Sequence, residues 1–186
     1  KKPFETKEKR KQRFDNFLTK LKIGYPTTDN SVGFGSIDVT STTSGQTTNI
    51  QYPFTEDDIY TSWFGASLGI GIQGGFSILI PNKEMLMDLF EGWKLYRSAV
   101  NENSVLKGNQ VNTWNGQWLA HRYSKNYHPE QPMADFNPFE TKTDGMSVAT
   151  QSWTKVLIGI SLHFDNPKMI GYVYNLGQTN TTIGFI

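Results

Sequence analysis

The chain has 186 residues, of which 37% are hydrophobic, 13% aromatic and 19% charged, which is enough apolar material for one domain with a core. It contains no cysteine, and this excludes disulfide scaffolds, zinc ribbons, iron–sulfur sites and thiol nucleophiles. No apolar run reaches the roughly 18 residues that a membrane span needs, so we expect no membrane partner.

The net charge of +1 hides an uneven distribution along the chain. Residues 1–22 carry nine basic and three acidic side chains, whereas the rest of the chain carries nine basic and fourteen acidic ones. Such asymmetry is typical of proteins that contact polyanions, although a solvated helix face would show it as well. We therefore divide the chain into a basic arm, residues 1–26, and a single α+β domain, residues 27–186.

The two ends of the chain suggest its context. It opens on Lys1 and stops within an apolar segment at Ile186, which predicts a fragment of a longer protein. The first residues are charged and lack the apolar core of a signal peptide, so we expect a cytoplasmic location.

The first predicted element is an amphipathic helix over residues 6–22, with Thr6 as its N-cap. Its apolar face follows the spacing i, i+3, i+4 and i+7, in Phe14, Phe17, Leu18 and Leu21. Its other faces are densely basic, and the residues that we expect to contact nucleic-acid phosphates are Lys9, Arg10, Lys11 and Arg13.

Residues 27–50 predict short exposed strands and a loop, and Thr55 predicts the start of a second helix. Alternating isoleucines and glycines then predict a buried hairpin around Gly74-Gly75, in which Gly71 lies opposite Ile78. The glycines leave room for a second backbone to approach closely. The literal match to Gly-x-Gly-x-x-Gly at residues 69–74 precedes a strand and not a helix, so we reject a dinucleotide site.

A third helix is predicted over residues 83–100, capped by Asn82. Residues 129–147 predict a long loop, and the last forty residues predict an antiparallel meander whose first strand alternates from Val156 to Phe164. The predicted fold class is α+β, with one antiparallel or mixed sheet and two to three helices.

Residues 114–128 interleave aromatic and basic side chains, the mixture that single-stranded nucleic acid requires for base stacking and phosphate contact. The alternative is that the tryptophans belong to the core. The amides in and beside this stretch, Gln117 and Asn126 among them, are candidates to contact base edges. The candidate binding residues here are Trp114, Arg122, Tyr123, Lys125 and Tyr127.

Two alternatives remain open beside nucleic-acid binding, which we expect within a larger, defence-type assembly with other protein subunits. One is a nuclease that uses Asp135, Glu140 and Lys142, because alternation along a strand places the last two on one face and carboxylates bind Mg²⁺. The other is a carbohydrate-binding module rich in Trp, Tyr and amides. We expect no histidine-based metal site, and no cofactor unless the nuclease holds Mg²⁺. Whether the protein is an enzyme is left open.

Overall fold

The structure is a computed structural model, and it describes residues 6–23, 47–49, 55–106, 108–143, 145–165, 168–175 and 181–185. Within these residues there are five helices and six strands, which confirms the α+β class and exceeds the two or three helices expected. In chain order they are α1 (Lys7–Ile23), α2 (Glu56–Ser67), β1 (Ile70–Ile72), β2 (Phe76–Leu79), α3 (Lys83–Glu102), α4 (Val111–Arg122), β3 (Phe139–Lys142), β4 (Gly145–Val148), α5 (Trp153–His163), β5 (Tyr172–Asn175) and β6 (Thr181–Phe185).

The chain divides into two compact units, Lys1–Ser67 and Leu68–Ile186. Helices α1 and α2 belong to the first unit, and the remaining elements belong to the second. This division differs from the boundary after residue 26 that the charge distribution predicts. No helix in the described part of the chain is long and apolar enough to cross a membrane.

Both helices of the first unit begin at the residues that the sequence predicts. The backbone N–H of Lys9 donates to Thr6 Oγ1 at 3.3 Å, and that of Asp58 donates to Thr55 Oγ1 at 3.2 Å. The Asp58 carboxylate in turn accepts a hydrogen bond from the backbone N–H of Thr55 at 2.9 Å, and the two bonds together form a capping box. The strands and loop predicted within residues 27–50 lie almost entirely outside the described residues.

The second unit contains a four-stranded antiparallel sheet in the order β1-β2-β5-β6. The predicted β1–β2 hairpin is confirmed, and a strand rather than a helix follows its turn. Its register differs from the prediction, because Gly71 lies opposite Ser77 and Ile70 lies opposite Ile78. The connection takes three residues, Gln73 to Gly75, and its last two adopt positive φ angles of 89° and 77°.

Helix α4 packs directly on strand β1. A Cβ atom at Gly71 would lie 2.8 Å from backbone atoms of Asn112 and Thr113, and one at Gly116 would overlap the Gly71 carbonyl oxygen. The glycines therefore permit the close backbone approach that the sequence predicts. The two elements are further joined by the Asn115 side chain, whose Nδ2 donates to the Gly69 carbonyl at 2.8 Å.

The core of the second unit lies between α3, α4 and the sheet. Trp114 and Trp118 of α4 are completely buried, and their indole N–H groups donate to the backbone carbonyls of Gly92 and Asp88 at 2.9 and 2.8 Å. Because the buried indole nitrogens are satisfied, these large rings add apolar contact without an unpaired polar group. On α3, the side chains of Met85, Leu89 and Tyr96 are buried in this core.

In two segments the observed secondary structure differs from the one that the sequence predicts. Residues 139–142 and 145–148 form an antiparallel hairpin within the predicted loop. The predicted first strand of the meander, Val156 to Phe164, lies instead almost entirely in helix α5, whose cap Ser152 accepts from the Lys155 backbone at 3.3 Å. A strand would place Ile160 and Leu162 on the same face, yet Ile160 is buried and Leu162 is 72% exposed. The other two strands of the meander, β5 and β6, are confirmed as an antiparallel pair.

Candidate functional site

The four cations predicted to contact phosphates all lie exposed on helix α1. The helix carries seven basic residues and two acidic ones. Helical spacing places Lys9, Arg13 and Lys20 on one side, because they are four and seven residues apart. With a rise of 1.5 Å per residue, this stripe of cations is about 16 Å long.

The aromatic residues predicted to stack on bases are packed within the second unit. Trp114 is fully buried and Tyr123 is 7% exposed, while Tyr127 is half-buried with its ring edge-on to Trp118. Stacking by Trp114 or Tyr123 would require either ring to leave the core. Trp114 and Tyr123 therefore serve as core residues of the second unit.

Arg122 is held by groups of its own chain. Its guanidinium lies 2.6 Å from an oxygen of Asp88 and 3.4 Å from one of Glu91, and it donates to the Tyr127 hydroxyl at 2.8 Å. These contacts occupy both terminal nitrogens, so Arg122 serves the fold of the second unit. Its neighbour Lys125 is exposed.

The Tyr123 hydroxyl donates to Asp88 Oδ2 at 2.8 Å. Burial raises the pKa of Tyr123 well above its ordinary value of 10, and the hydrogen bond to Asp88 raises it further. The Tyr123 ring also stacks on His163 at 4.1 Å between centroids, and His163 lies 3.6 Å from Glu84. Tyr123 thus joins α3, α4 and α5.

The three residues of the nuclease hypothesis are only partly brought together. Glu140 and Lys142 share one face of β3, with 2.7 Å between Oε1 and Nζ, and Glu140 also accepts from the Ser147 hydroxyl. The hydrogen bond with Lys142 lowers the pKa of Glu140. No group of three or more His, Asp or Glu side chains in the described residues could hold a metal ion. The nuclease stays a prediction without support from the geometry.

Asp135 lies in a polar cleft of the second unit, between the end of α4, the segment that follows it and the start of α5. The cleft has a volume of about 250 Å³, and its polar lining includes Gln117, His121, Asn126, Asp135, Asn137 and Lys155. Gln117 and Asn126 are amides that the sequence suggested as contacts for base edges. Asn137 and Lys155 were missed, because no local pattern distinguishes them from surface residues.

The inner wall of the cleft is fixed by hydrogen bonds. Gln117 Nε2 donates to the Ala149 carbonyl at 2.7 Å, and Gln151 Nε2 donates to Gln117 Oε1 at 3.2 Å. His121 Nε2 lies 3.0 Å from the Pro132 carbonyl, which can only accept, so this nitrogen carries the proton. The imidazole also stacks on Phe136 with 4.6 Å between ring centroids.

Ser124, His121 and Asp135 all line this cleft, yet they do not form a catalytic triad. A triad requires a hydrogen bond from nucleophile to base and another from base to acid. The structure instead bonds His121 to a backbone carbonyl, and within the described residues no hydrogen bond joins any two of these three side chains.

Asp135 has a backbone φ of 58°, in the left-handed region, which Asp and Asn adopt more readily than most other non-glycine residues. Comparisons with protein-family models, with curated proteins and with solved structures find no match to this chain.

Proposed function

We propose that this protein binds nucleic acid, with the phosphates of the strand held by the exposed cations of helix α1. The observation that carries this proposal is the stripe of Lys9, Arg13 and Lys20 on a capped helix, with Arg10 and Lys11 also exposed. A helix fixes the spacing of its cations, and phosphate contacts gain from releasing the counterions of the strand.

The length of the stripe suits a polyanion better than a single anion. About 16 Å of helix matches about five nucleotide steps at 3.4 Å each along one strand. Lys9, Arg10 and Lys11 form no ion pair with other described residues, so their charge is available to a partner. The expected binding is independent of sequence, because phosphate contacts carry no sequence information.

The test is fluorescence anisotropy with single- and double-stranded RNA and DNA of equal length, at two or more ionic strengths. For a single strand, log K should fall with log salt by about 0.7 for each phosphate contact. The double variant Lys9→Gln/Arg13→Gln should lower this slope by about 1.4 and weaken binding to every sequence alike. Glutamine is a good helix former, so α1 is preserved.

The matched control is Lys94→Gln/Arg97→Gln, which removes one lysine and one arginine from exposed positions of helix α3. It should leave the salt slope close to that of the unchanged protein. Binding that is insensitive to salt, or an equal loss in both double variants, would contradict the role of α1.

We also propose that the protein acts in the cytoplasm together with other protein subunits. Two neighbouring exposed apolar side chains are the feature that supports a protein partner, because contiguous apolar surface can mark an interaction site. On α5, Ile158 is 53% and Leu162 is 72% exposed, and their spacing of four residues places them on one side. Co-purification of a partner that is lost in Ile158→Ser/Leu162→Ser would support this part of the proposal, and a partner retained by that variant would contradict it.

A further inference from the structure

We infer that the outer side of α5 binds the same side of a second copy of this chain, so that two α5 helices pack antiparallel about a twofold axis. This inference rests on the proposal that Ile158 and Leu162 contact a protein partner, and it names that partner. In a twofold interface each contact between the two copies occurs twice, so the surface must be complementary to itself. The apolar side chains and the charges of α5 both meet this requirement.

Helix α5 lacks the polar outer side that a surface helix normally has. Val156 and Ile160 are buried in the core, yet Ile158 and Leu162 on the opposite side are 53% and 72% exposed. Among the eleven residues of the helix, Lys155 is the single lysine, arginine, aspartate or glutamate. A helix that is apolar on all sides is normally covered on all sides, so the outer side of α5 indicates a contact.

The exposed apolar pair fits an antiparallel pair of helices. Ile158 and Leu162 are four residues apart, which places them about one turn from each other on one side of α5. A twofold axis at the level of Ile160 places Ile158 of each copy opposite Leu162 of the other. Four apolar side chains then cover one another at the centre of the interface.

The exposed hydroxyl beside this pair does not oppose burial. Ser161 Oγ donates to the Ile158 carbonyl oxygen at 3.0 Å. A hydroxyl that is bonded within its own helix can be covered by a partner without leaving an unpaired donor. The outer side of α5 can therefore lose water at Ser161 at little cost in free energy.

The charges on either side of the apolar pair are also complementary to themselves. Lys155 lies three residues before Ile158. Asp165 lies three residues after Leu162, just beyond the end of α5. The same twofold axis therefore places the Lys155 ammonium of each copy near the Asp165 carboxylate of the other. Both side chains are exposed, and among the described residues neither forms an ion pair. A parallel pair of helices would instead place each charge beside its own counterpart, so the charges select the antiparallel arrangement.

The exposed apolar pair of α3 does not have this property. Met87 and Phe90 are 54% and 42% exposed. Lys83 lies four residues before this pair and Lys94 lies four residues after it. A twofold axis between Met87 and Phe90 would therefore bring Lys83 of each copy beside Lys94 of the other, and like charges oppose association. We expect the second copy at α5 and not at α3.

The first test is sedimentation equilibrium of the purified full chain between about 1 and 500 µM. One helix side buries less than the roughly 800 Å² per partner of a standard interface, so we expect a dissociable dimer with a Kd in the micromolar range. Ile158→Ser/Leu162→Ser should weaken association about tenfold or more. The matched control is Met87→Ser, which removes a side chain of similar exposure from α3 and should leave association unchanged.

The second test exchanges the charges between copies. Lys155→Glu places two acidic side chains together at both ends of the interface, and Asp165→Lys places two basic ones together, so each variant alone should dimerise about tenfold or more weakly. An equimolar mixture of the two variants has an opposite pair at both ends and should associate about as tightly as the unchanged chain. Each new charge has the sign that its end of the helix favours, so α5 is preserved.

A monomer at every concentration, or a mixture that associates no more tightly than its components, would overturn the inference. So would an equal loss in Met87→Ser and Ile158→Ser/Leu162→Ser. Failure of the broader proposal is distinguishable from failure of this one. A monomeric chain whose co-purified partner is still lost in Ile158→Ser/Leu162→Ser excludes the second copy and retains a different protein at α5.

Discussion

The guanidinium of Arg122 at the end of α4 lies 2.6 Å from the carboxylate of Asp88 on α3. Asp88 has only 9% of its side chain exposed and Arg122 has 24%, so the pair is largely removed from water. An ion pair in such surroundings joins two helices, and its loss leaves a charge without compensation. A residue that the sequence assigns to ligand binding thus has a structural role.

Replacing Arg122 should destabilise the protein. In Arg122→Met, the Asp88 carboxylate keeps its burial and loses its cation, and we expect a loss of about 3 kcal/mol in the free energy of unfolding. Chemical denaturation measures this loss. The control Glu91→Gln removes the outer partner, which is 53% exposed, and should cost less than about 1 kcal/mol. Equal stability of Arg122→Met and the unchanged protein would exclude this role.

The pKa of Tyr123 predicts a dependence of stability on alkaline pH. Its pKa is raised in the folded state, so the unfolded chain loses the hydroxyl proton first, near pH 10. The contribution of the Tyr123 hydroxyl to the free energy of unfolding is therefore complete below that pH and declines as the pH rises above it. In Tyr123→Phe, unfolding monitored between about pH 9 and pH 11 should show a smaller decline than in the unchanged protein. An identical decline in both would contradict the prediction.

Replacing each of two helical glycines by alanine should change the free energy of unfolding in opposite directions. Alanine favours a helix at either position by about 0.5–1 kcal/mol. At Gly116, however, the new methyl group would overlap the backbone oxygen of Gly71, which cannot move aside, and we expect a net loss of about 2 kcal/mol. At Gly159 the nearest atom is 3.6 Å away, in ordinary contact, so alanine should stabilise. Thermal and chemical unfolding of both variants measure the difference, and a change of the same sign in both would be inconsistent with the packing of α4 on β1.

Replacing single side chains of α5 by alanine distinguishes a helix from a strand in this segment. Ile160 is 6% exposed and Leu162 is 72% exposed, so Ile160→Ala should cost about 3 kcal/mol and Leu162→Ala should cost little. In a strand the two residues would share a face and the two losses would be similar. The comparison of their unfolding free energies therefore tests the helix directly.

Much of the local structure could be predicted from the sequence. The side chains of the N-caps Thr6, Thr55 and Asn82 each accept a hydrogen bond from the backbone N–H of the third residue of their helix, as the sequence suggests. The β1–β2 hairpin could be predicted as well, because Gly74 and Gly75 supply the positive φ angles of its turn. These features depend on neighbours within a few residues, so a short window of sequence contains their physical cause.

The secondary structure of the segment that forms α5 could not be predicted from the sequence. Val156 and Ile160 fit a helical period, and the same residues with Ile158 and Leu162 fit alternation along a strand. The sequence does not choose between them. The packing of α5 against α4 decides, because it buries Val156 and Ile160 and leaves Ile158 and Leu162 exposed.

For the candidate sites too, some properties follow from the local sequence and others depend on tertiary contacts. The sequence by itself determined the charge of α1, because a dense run of Lys and Arg on a helix must remain solvated whatever the rest of the chain does. Only the tertiary structure decided that Trp114 and Tyr123 are core residues and that Asp135 and Lys155 line one cleft. The physical reason is that burial and the convergence of distant side chains arise from contacts between α3, α4, α5 and the sheet, and no local pattern specifies those contacts.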